Sequence, residues 1–238
     1  MSLVNWRRRQ DRIDEVFVPE SALAEGAHPR ELPMFISYCV HHALDTGMYL
    51  REELPREALI ASTLGDYLGE VDNGGHAQFV GNICWCEEHR SDIREGLAIL
   101  GLDEAARLFA DLEAFAERAP RRFARNHGEA HEIDPYFDEL DRRLYGPVEE
   151  SIDAALAAWI RTQPWLRTLP NEEYSRIRGW ETPHHVLREE RFEERRRERE
   201  PQLRRGLLAL RAGLRAHKTT GWRRLMWRIL RAWYGRGL

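Results

Sequence analysis

The chain has 238 residues, of which 42% are apolar and 32% charged, and this composition is ordinary for a soluble protein with a core. Its longest uncharged apolar run near a helix centre, residues 154–160, is too short to cross a bilayer, and the N-terminus lacks the apolar stretch of a signal peptide. Three cysteines, an odd number, favour a reducing compartment over a disulfide framework, so the predicted location is the cytoplasm.

The net charge of −4 conceals a strong asymmetry along the chain. Residues 204–238 hold nine Arg, one Lys and no acidic residue, which gives this tail a charge of +10. The remaining residues sum to −14, and residues 55–163 alone contain 22 acidic and 11 basic side chains. The pattern predicts an acidic body with a basic tail. Each part can attract a partner of opposite charge, and the two parts can also attract each other.

The first half of the chain predicts helices separated by glycine turns. Residues 1–30 lack periodicity and indicate an N-terminal arm or a short helix, whereas apolar positions at steps of three and four predict a helix over residues 32–44. A second apolar stripe runs from Ile60 to Val71 and stops at Asn73-Gly74-Gly75, residue types that commonly end helices. A short helix with Gln78 and Asn82 should follow. Ser91-Asp92 is interpreted as the cap of a helix that ends near Gly101.

The second half continues in the same way. Helices are predicted from Asp103 to Pro120, from Asp134-Pro135 to Gly146, and from Pro147 to Pro164, with a loop over residues 121–133. No segment shows sustained strand alternation. The predicted fold is therefore all-α: a single acidic multi-helix domain over residues 31–180, followed by a charged linker helix (181–202) and a basic amphipathic helical extension (203–238).

The C-terminal extension carries the most distinctive charge pattern. Between Arg188 and Glu200 nearly every residue is charged, and Glu193–Arg197 and Arg196–Glu200 are spaced for helical ion pairs. In the tail, an apolar stripe faces a basic one, and the residues concerned include Trp222, Trp233, Arg223, Arg224, Arg228 and Arg231. This helix either completes the core and covers acidic residues of the body, or binds nucleic acid or an anionic membrane surface.

The stretch from Glu70 to Asn82, EVDNGGHAQFVGN, resembles the Asn-Gly-Gly-x-x-Gln-Phe signature of a bacterial family of helical domains. The best-known member of that family is a dimeric acidic DNA mimic. Residues 95–103, and the helix with Phe137, Leu140, Asp141 and Tyr145, are similar to the same family, so the resemblance spans roughly residues 50–165. His76 stands where the family usually has an aromatic residue.

The signature residues have two interpretations. In the first, the polar residues of the signature form a ligand pocket. In the second, the turn is structural: Asn73 caps the helix, and Gln78 and Asn82 fix the neighbouring backbone. The structural interpretation is favoured, because turn geometry alone explains Asn and Gly. The residues concerned are Asp72, Asn73, Gly74, Gly75, Gln78, Phe79 and Asn82.

Metal binding and catalysis find little support in the sequence. Cys84 and Cys86 would point about 200° apart on a helix, and no matching Cys/His pair occurs at structural-zinc spacing. His127 and His131 are spaced for a helical metal site, but Gly128 favours an ordinary loop. No nucleophile elbow, phosphate loop or His-Glu-x-x-His motif is present. We predict no cofactor, no metal and no catalytic residue.

The leading functional prediction is a non-catalytic protein that binds a basic partner through an acidic helical surface. The family resemblance implies that a nucleic-acid-binding regulator is one such partner, and leaves a homodimer open. The alternatives are a module that binds nucleic acid or an anionic membrane surface through its Arg/Trp-rich C-terminal helices, and an enzyme of unknown reaction. The predicted docking surface consists of Asp134, Asp138, Glu139, Asp141, Glu149, Glu150 and Asp153.

Overall fold

Helices form most of the protein in a computed structural model that describes residues 10–83, 85–125, 134–177 and 182–198. The chain divides into two units, residues 1–186 and 187–238. In the first unit the helices are α1 (Glu31–Asp45), α2 (Arg56–Asn82), α3 (Glu87–Ile99), α4 (Asp103–Arg118), α5 (Pro120–Arg125), α6 (Pro135–Leu144), α7 (Pro147–Arg161) and α8 (Asn171–Ile177). The predicted all-α class is confirmed.

One small parallel sheet joins the two ends of this unit. Strand β1 (Val16–Pro19) pairs with β2 (Leu166–Leu169), with Val16 opposite Leu166. Val16 and Val18 are buried in the core, as is Ala22 in the short 3-10 turn that follows. The part of the predicted arm that the structure describes, residues 10–30, is thus packed against the body. Four-residue strands are too short to show the alternation that identifies a strand in a sequence.

Helix α2 lies at the centre of the core and contacts α1, α3, α6 and α7. Its Tyr67 packs edge-on against Phe79 of the same helix, at 4.9 Å between ring centroids, and against Phe109 of α4 at 5.7 Å. The predicted boundaries of α1, α4, α6 and α7 are confirmed. The Asp134 side chain accepts from the Tyr136 backbone N–H (3.1 Å), the cap that the Asp-Pro pair indicated.

Two local predictions were wrong. Helix α3 begins at Glu87, so Asp92 lies within the helix and does not cap it. The Asp92 carboxylate is 1% exposed. It binds Arg51, Arg56 and the Thr63 hydroxyl. Residues 120–125 form helix α5 instead of the start of a loop. Trp85 and Cys86 lie in the connection before α3, so a helical geometry does not apply to them.

The second unit is described over residues 187–198, where residues 188–198 are helical as the sequence predicts. Arg196 pairs with Glu193 one turn earlier (3.3 Å), and the Arg188 guanidinium lies 6.0 Å from the ring centre of Phe192. Glu200 and the basic tail lie outside the described residues, as do Cys84, His127 and His131.

Candidate functional site at the glycine kink

Helix α2 is broken within the signature, as the sequence predicted. Gly75 has φ +72° and ψ −177°, a left-handed conformation that side-chain-bearing residues rarely adopt. Gly74, at φ −175°, has an extended backbone. The turn separates a long first arm of α2 from a short second arm that ends at Asn82. Only Gly75, and not Gly74, therefore needs glycine for its backbone conformation.

Asp141 of α6 fills the gap that the kink opens. In a continuous helix the His76 N–H would bond to the Asp72 carbonyl; here it donates to Asp141 Oδ1 at 2.8 Å. His76 Nδ1 contacts the same oxygen at 2.5 Å, which leaves Nε2 to accept from the Tyr67 hydroxyl at 2.9 Å. A Cβ on Gly75 would lie only 2.1 Å from Asp141 Oδ2. The carboxylate thus occupies the space that a side chain at position 75 would need.

The same end of α6 makes a second contact with the kinked helix. The Tyr145 hydroxyl donates to the Val71 carbonyl at 2.8 Å, one turn before Gly75. Asp141 and Tyr145 belong to one stretch with family resemblance, and Gly75 belongs to another. The two stretches, about 65 residues apart, meet in space. Their joint occurrence has a physical reason, because one provides the kink and the other its hydrogen-bond partners.

Gln78 and Asn82 hold the two arms of α2 together. Gln78 Nε2 donates to Glu70 Oε2 at 2.9 Å, and Asn82 Nδ2 donates to the same oxygen at 2.7 Å. The structural interpretation predicted contacts with backbone, and this detail was wrong: both amides bind a carboxylate across the kink. Phe79 is 2% exposed and belongs to the core.

A cluster of three carboxylates around Arg30 lies beside the first arm. Arg30 Nε donates to Asp153 Oδ2 at 2.6 Å, and the guanidinium also pairs with Asp72 and Glu149. The role of Arg30 was not predictable from the sequence, because Arg30 precedes α1 and its partner Asp153 is 123 residues away. No local spacing could have indicated this contact.

Burial of Asp153 predicts a pH-dependent effect on stability. Its burial raises the pKa of the carboxyl group despite the nearby Arg30 guanidinium, and its Oδ1 has no hydrogen-bond partner in the described part of the chain. Because the pKa of Asp153 is higher in the folded state, the group favours folding at a pH below its ordinary pKa. This contribution is lost as the pH rises through the raised pKa. We expect Asp153→Asn to melt at or above the wild-type temperature at neutral pH, with the difference shrinking towards pH 4.

Thermal melts between pH 4 and pH 7.5 measure this difference, and Glu150→Gln, on the exposed side of the same helix, is the matched control. A variant Asp153→Asn that melts well below both proteins at neutral pH would contradict the prediction.

Four of the predicted docking carboxylates are engaged inside the protein. Asp141 binds His76, while Glu149 and Asp153 bind Arg30. Asp134 caps α6 and pairs with Arg122 at 2.7 Å. Each of these carboxylates is paired within the protein, so its charge is partly compensated before any partner binds.

The other three carboxylates face solvent to different degrees. Asp138 and Glu150 are exposed and have no ion-pair partner among the described residues. Glu139 is half-buried and pairs with Arg142 on its own helix. Helices α6 and α7 contact each other, so these three charges belong to neighbouring helices.

The chain of Asp141, His76 and Tyr67 has the order of a proton relay, but its Tyr67 end is buried. His76 is 0% exposed and Tyr67 is 1% exposed. Burial, followed by the Asp141 charge, raises the pKa of the Tyr67 hydroxyl, which opposes its activation as a nucleophile. Among the described residues, no group of three or more His, Cys, Asp or Glu could hold a metal ion. The arrangement holds the kink in place.

Comparisons with known proteins give one result. No curated protein and no solved structure matches the chain significantly. None of the described helices is long and apolar enough to cross a membrane. A family model described as DMP19-like protein matches residues 52–163. This segment, which contains the kink, its Asp141 and Tyr145 partners and most of the acidic helices, is therefore similar to a DMP19-like protein.

Proposed function

We propose that the chain is a non-catalytic interaction protein that binds a basic protein through an acidic helical surface. The observation that carries the proposal is that the segment similar to a DMP19-like protein, a family of DNA-mimic type, is also strongly acidic. Residues 55–163 contain 22 acidic and 11 basic side chains. This similarity favours a nucleic-acid-binding regulator as the partner, because the basic surface with which such a protein binds phosphates can also bind carboxylates.

The exposed part of this surface is made of Asp138, Glu139 and Glu150. Their charges are not neutralised by buried cations, so they are available to attract a positively charged partner over roughly 10 Å at 0.1 M salt. Such exposed charges mainly accelerate and orient association. The buried position of Tyr67, and the structural use of His76 and Asp141, support the non-catalytic assignment.

Reversal of these three charges tests the proposal. Lysates of the native host are passed over immobilised wild type and over the triple variant Asp138→Lys, Glu139→Lys, Glu150→Lys. A basic nucleic-acid-binding protein should be retained by the wild type, lost from the variant by about tenfold or more, and displaced by duplex DNA. Displacement is expected because a DNA mimic and DNA occupy the same surface of the partner.

A second triple variant controls for net charge. Glu20→Lys, Glu25→Lys and Glu172→Lys change the charge of the protein equally, but at exposed positions outside residues 52–163. This control should retain the partner at the wild-type level. Equal loss from both variants would show that only overall charge matters, and equal retention would remove α6 and α7 from consideration.

A further inference from the structure

An open groove of about 380 Å³ runs between α1 and the first arm of α2. Apolar groups form much of its lining, and two of them are unusually exposed for their size: Met34 (40%) and Tyr38 (51%). Polar groups border it, among them Asp66, Glu70 and Asn73. The groove thus combines an apolar wall with a polar edge, a combination that suits a side chain with an aliphatic stem and a polar head.

Gly69 leaves the floor of this groove open. It lines the groove, and a Cβ placed on it would meet no atom within 4 Å outside its own helical turns. Its backbone is helical, so turn geometry does not require glycine at this position. A glycine in a helix interior costs roughly 1 kcal/mol relative to alanine. Glycine at this position therefore lowers the stability of the helix and leaves open space in the groove.

The charges around the groove favour a cation. Asp66, Glu70 and Asp153 line it, and the Arg30 cluster at one end adds the carboxylates of Asp72 and Glu149. The nearby cationic groups are the Arg30 guanidinium and the His41 imidazole, which line the groove, and the His28 imidazole, whose charge acts on Asp153. Arg30 is already shared by three carboxylates, and His41 is bound to Asp66 at 2.8 Å. Glu70 is held by two neutral amides, and no ion pair compensates its charge among the residues that the structure describes.

We propose that this groove receives an arginine side chain of the basic protein partner. The aliphatic stem lies against Met34 and Tyr38 over Gly69, and the guanidinium lies near Glu70 and Asp66. The inference rests on the proposed function for the source of the arginine. It adds a specific recognition pocket to a surface that otherwise acts by long-range attraction. Arginine suits the site because its planar donors pair with carboxylates in a fixed geometry.

Methionine methyl NMR tests the groove directly. The chain has four methionines, and the side chain of Met34 lines the groove while that of Met48 is buried elsewhere. The probe is N-acetyl-arginine amide, and its matched neutral control is N-acetyl-citrulline amide, which has nearly the same shape. We expect a saturable shift of the Met34 methyl signal with the arginine probe, at least fivefold weaker binding of the citrulline probe, and no change at Met48.

The variant Gly69→Leu fills the groove and should abolish the Met34 response while melting at or above the wild-type temperature, because it removes a helix-interior glycine. Ala110→Leu, which adds the same side chain at an exposed site of α4, should leave the response unchanged. Equal binding of the two probes, or a response that survives in a folded Gly69→Leu protein, would overturn the proposal.

The two proposals fail separately. The titration uses no partner protein, so its outcome is independent of the lysate capture. The charges reversed in the capture experiment, at Asp138, Glu139 and Glu150, are outside the lining of the groove. Reduced capture by Gly69→Leu would connect the groove with the partner, and full capture by this variant would show that the partner's arginine does not use it.

Discussion

Replacement of Gly75 by Ala is expected to lower the free energy of unfolding by about 3 kcal/mol. Two effects combine. The φ of +72° costs a side-chain-bearing residue roughly 1–2 kcal/mol, and the new Cβ would displace the Asp141 carboxylate from 2.1 Å away. Displacement weakens both contacts of Asp141 with His76. Thermal and denaturant unfolding measure the loss, which corresponds to a lower melting temperature by roughly 6–12 °C.

Two other glycines separate these effects. Gly101 has φ +66°, and a Cβ added there would meet no atom within 4 Å, so Gly101→Ala reports backbone strain alone. A Cβ on Gly74 would press on the Gln78 side chain, whose Cβ lies 3.0 Å away, so Gly74→Ala disturbs the contact between Gln78 and Glu70 without left-handed strain, and its cost should lie below that of Gly75→Ala. A Gly75→Ala protein that loses no more stability than Gly101→Ala would contradict the role given to Asp141.

Asp141→Lys is expected to destabilise the protein by about 3 kcal/mol or more, because lysine cannot accept from the His76 N–H and Nδ1. His76 is completely buried, so water cannot replace the lost acceptor. The matched control is Asp138→Lys, which makes the same change of charge one turn earlier on the exposed side of α6. Its effect should stay within about 0.5 kcal/mol.

Denaturant unfolding of the two variants decides whether Asp141 belongs to the docking surface or to the fold. Similar midpoints for Asp141→Lys and Asp138→Lys would show that both carboxylates are surface charges. A large loss confined to Asp141→Lys would explain why charge reversals for binding studies must avoid this residue.

Helices with local signals were predictable from the sequence, and long-range contacts were not. Asp134-Pro135 specified the start of α6 because a capping residue acts within one turn. Asn73-Gly74-Gly75 located the kink for the same reason. In contrast, Arg30 acquires its role only when the fold brings Asp153 to it across 123 residues. Asp92 was interpreted as a cap because its partners, Arg51 and Arg56, lie on other elements.

The candidate site shows the same division. The sequence identified the signature residues but did not predict that Gln78 and Asn82 bind Glu70. In an unbroken helix, residues eight and twelve positions apart are too far apart along the axis for such contacts. The composition likewise gives the number of acidic residues, but it does not distinguish exposed carboxylates from those that are paired within the protein. Asp141 and Glu150 look alike in the sequence, yet one holds the kink and the other faces solvent.

The pairing of β1 with β2 affects how the protein folds during its synthesis. Val16 leaves the ribosome about 150 residues ahead of its strand partner Leu166. At roughly 5–20 residues per second, this gap lasts on the order of ten to thirty seconds. During that time the apolar side chains of Val16 and Val18 have no strand to pair with, and the helices between the two strands can assemble first. The N-terminal strand is therefore expected to be among the last parts of the body to reach its native position, and the nascent chain to need protection there until residue 169 emerges.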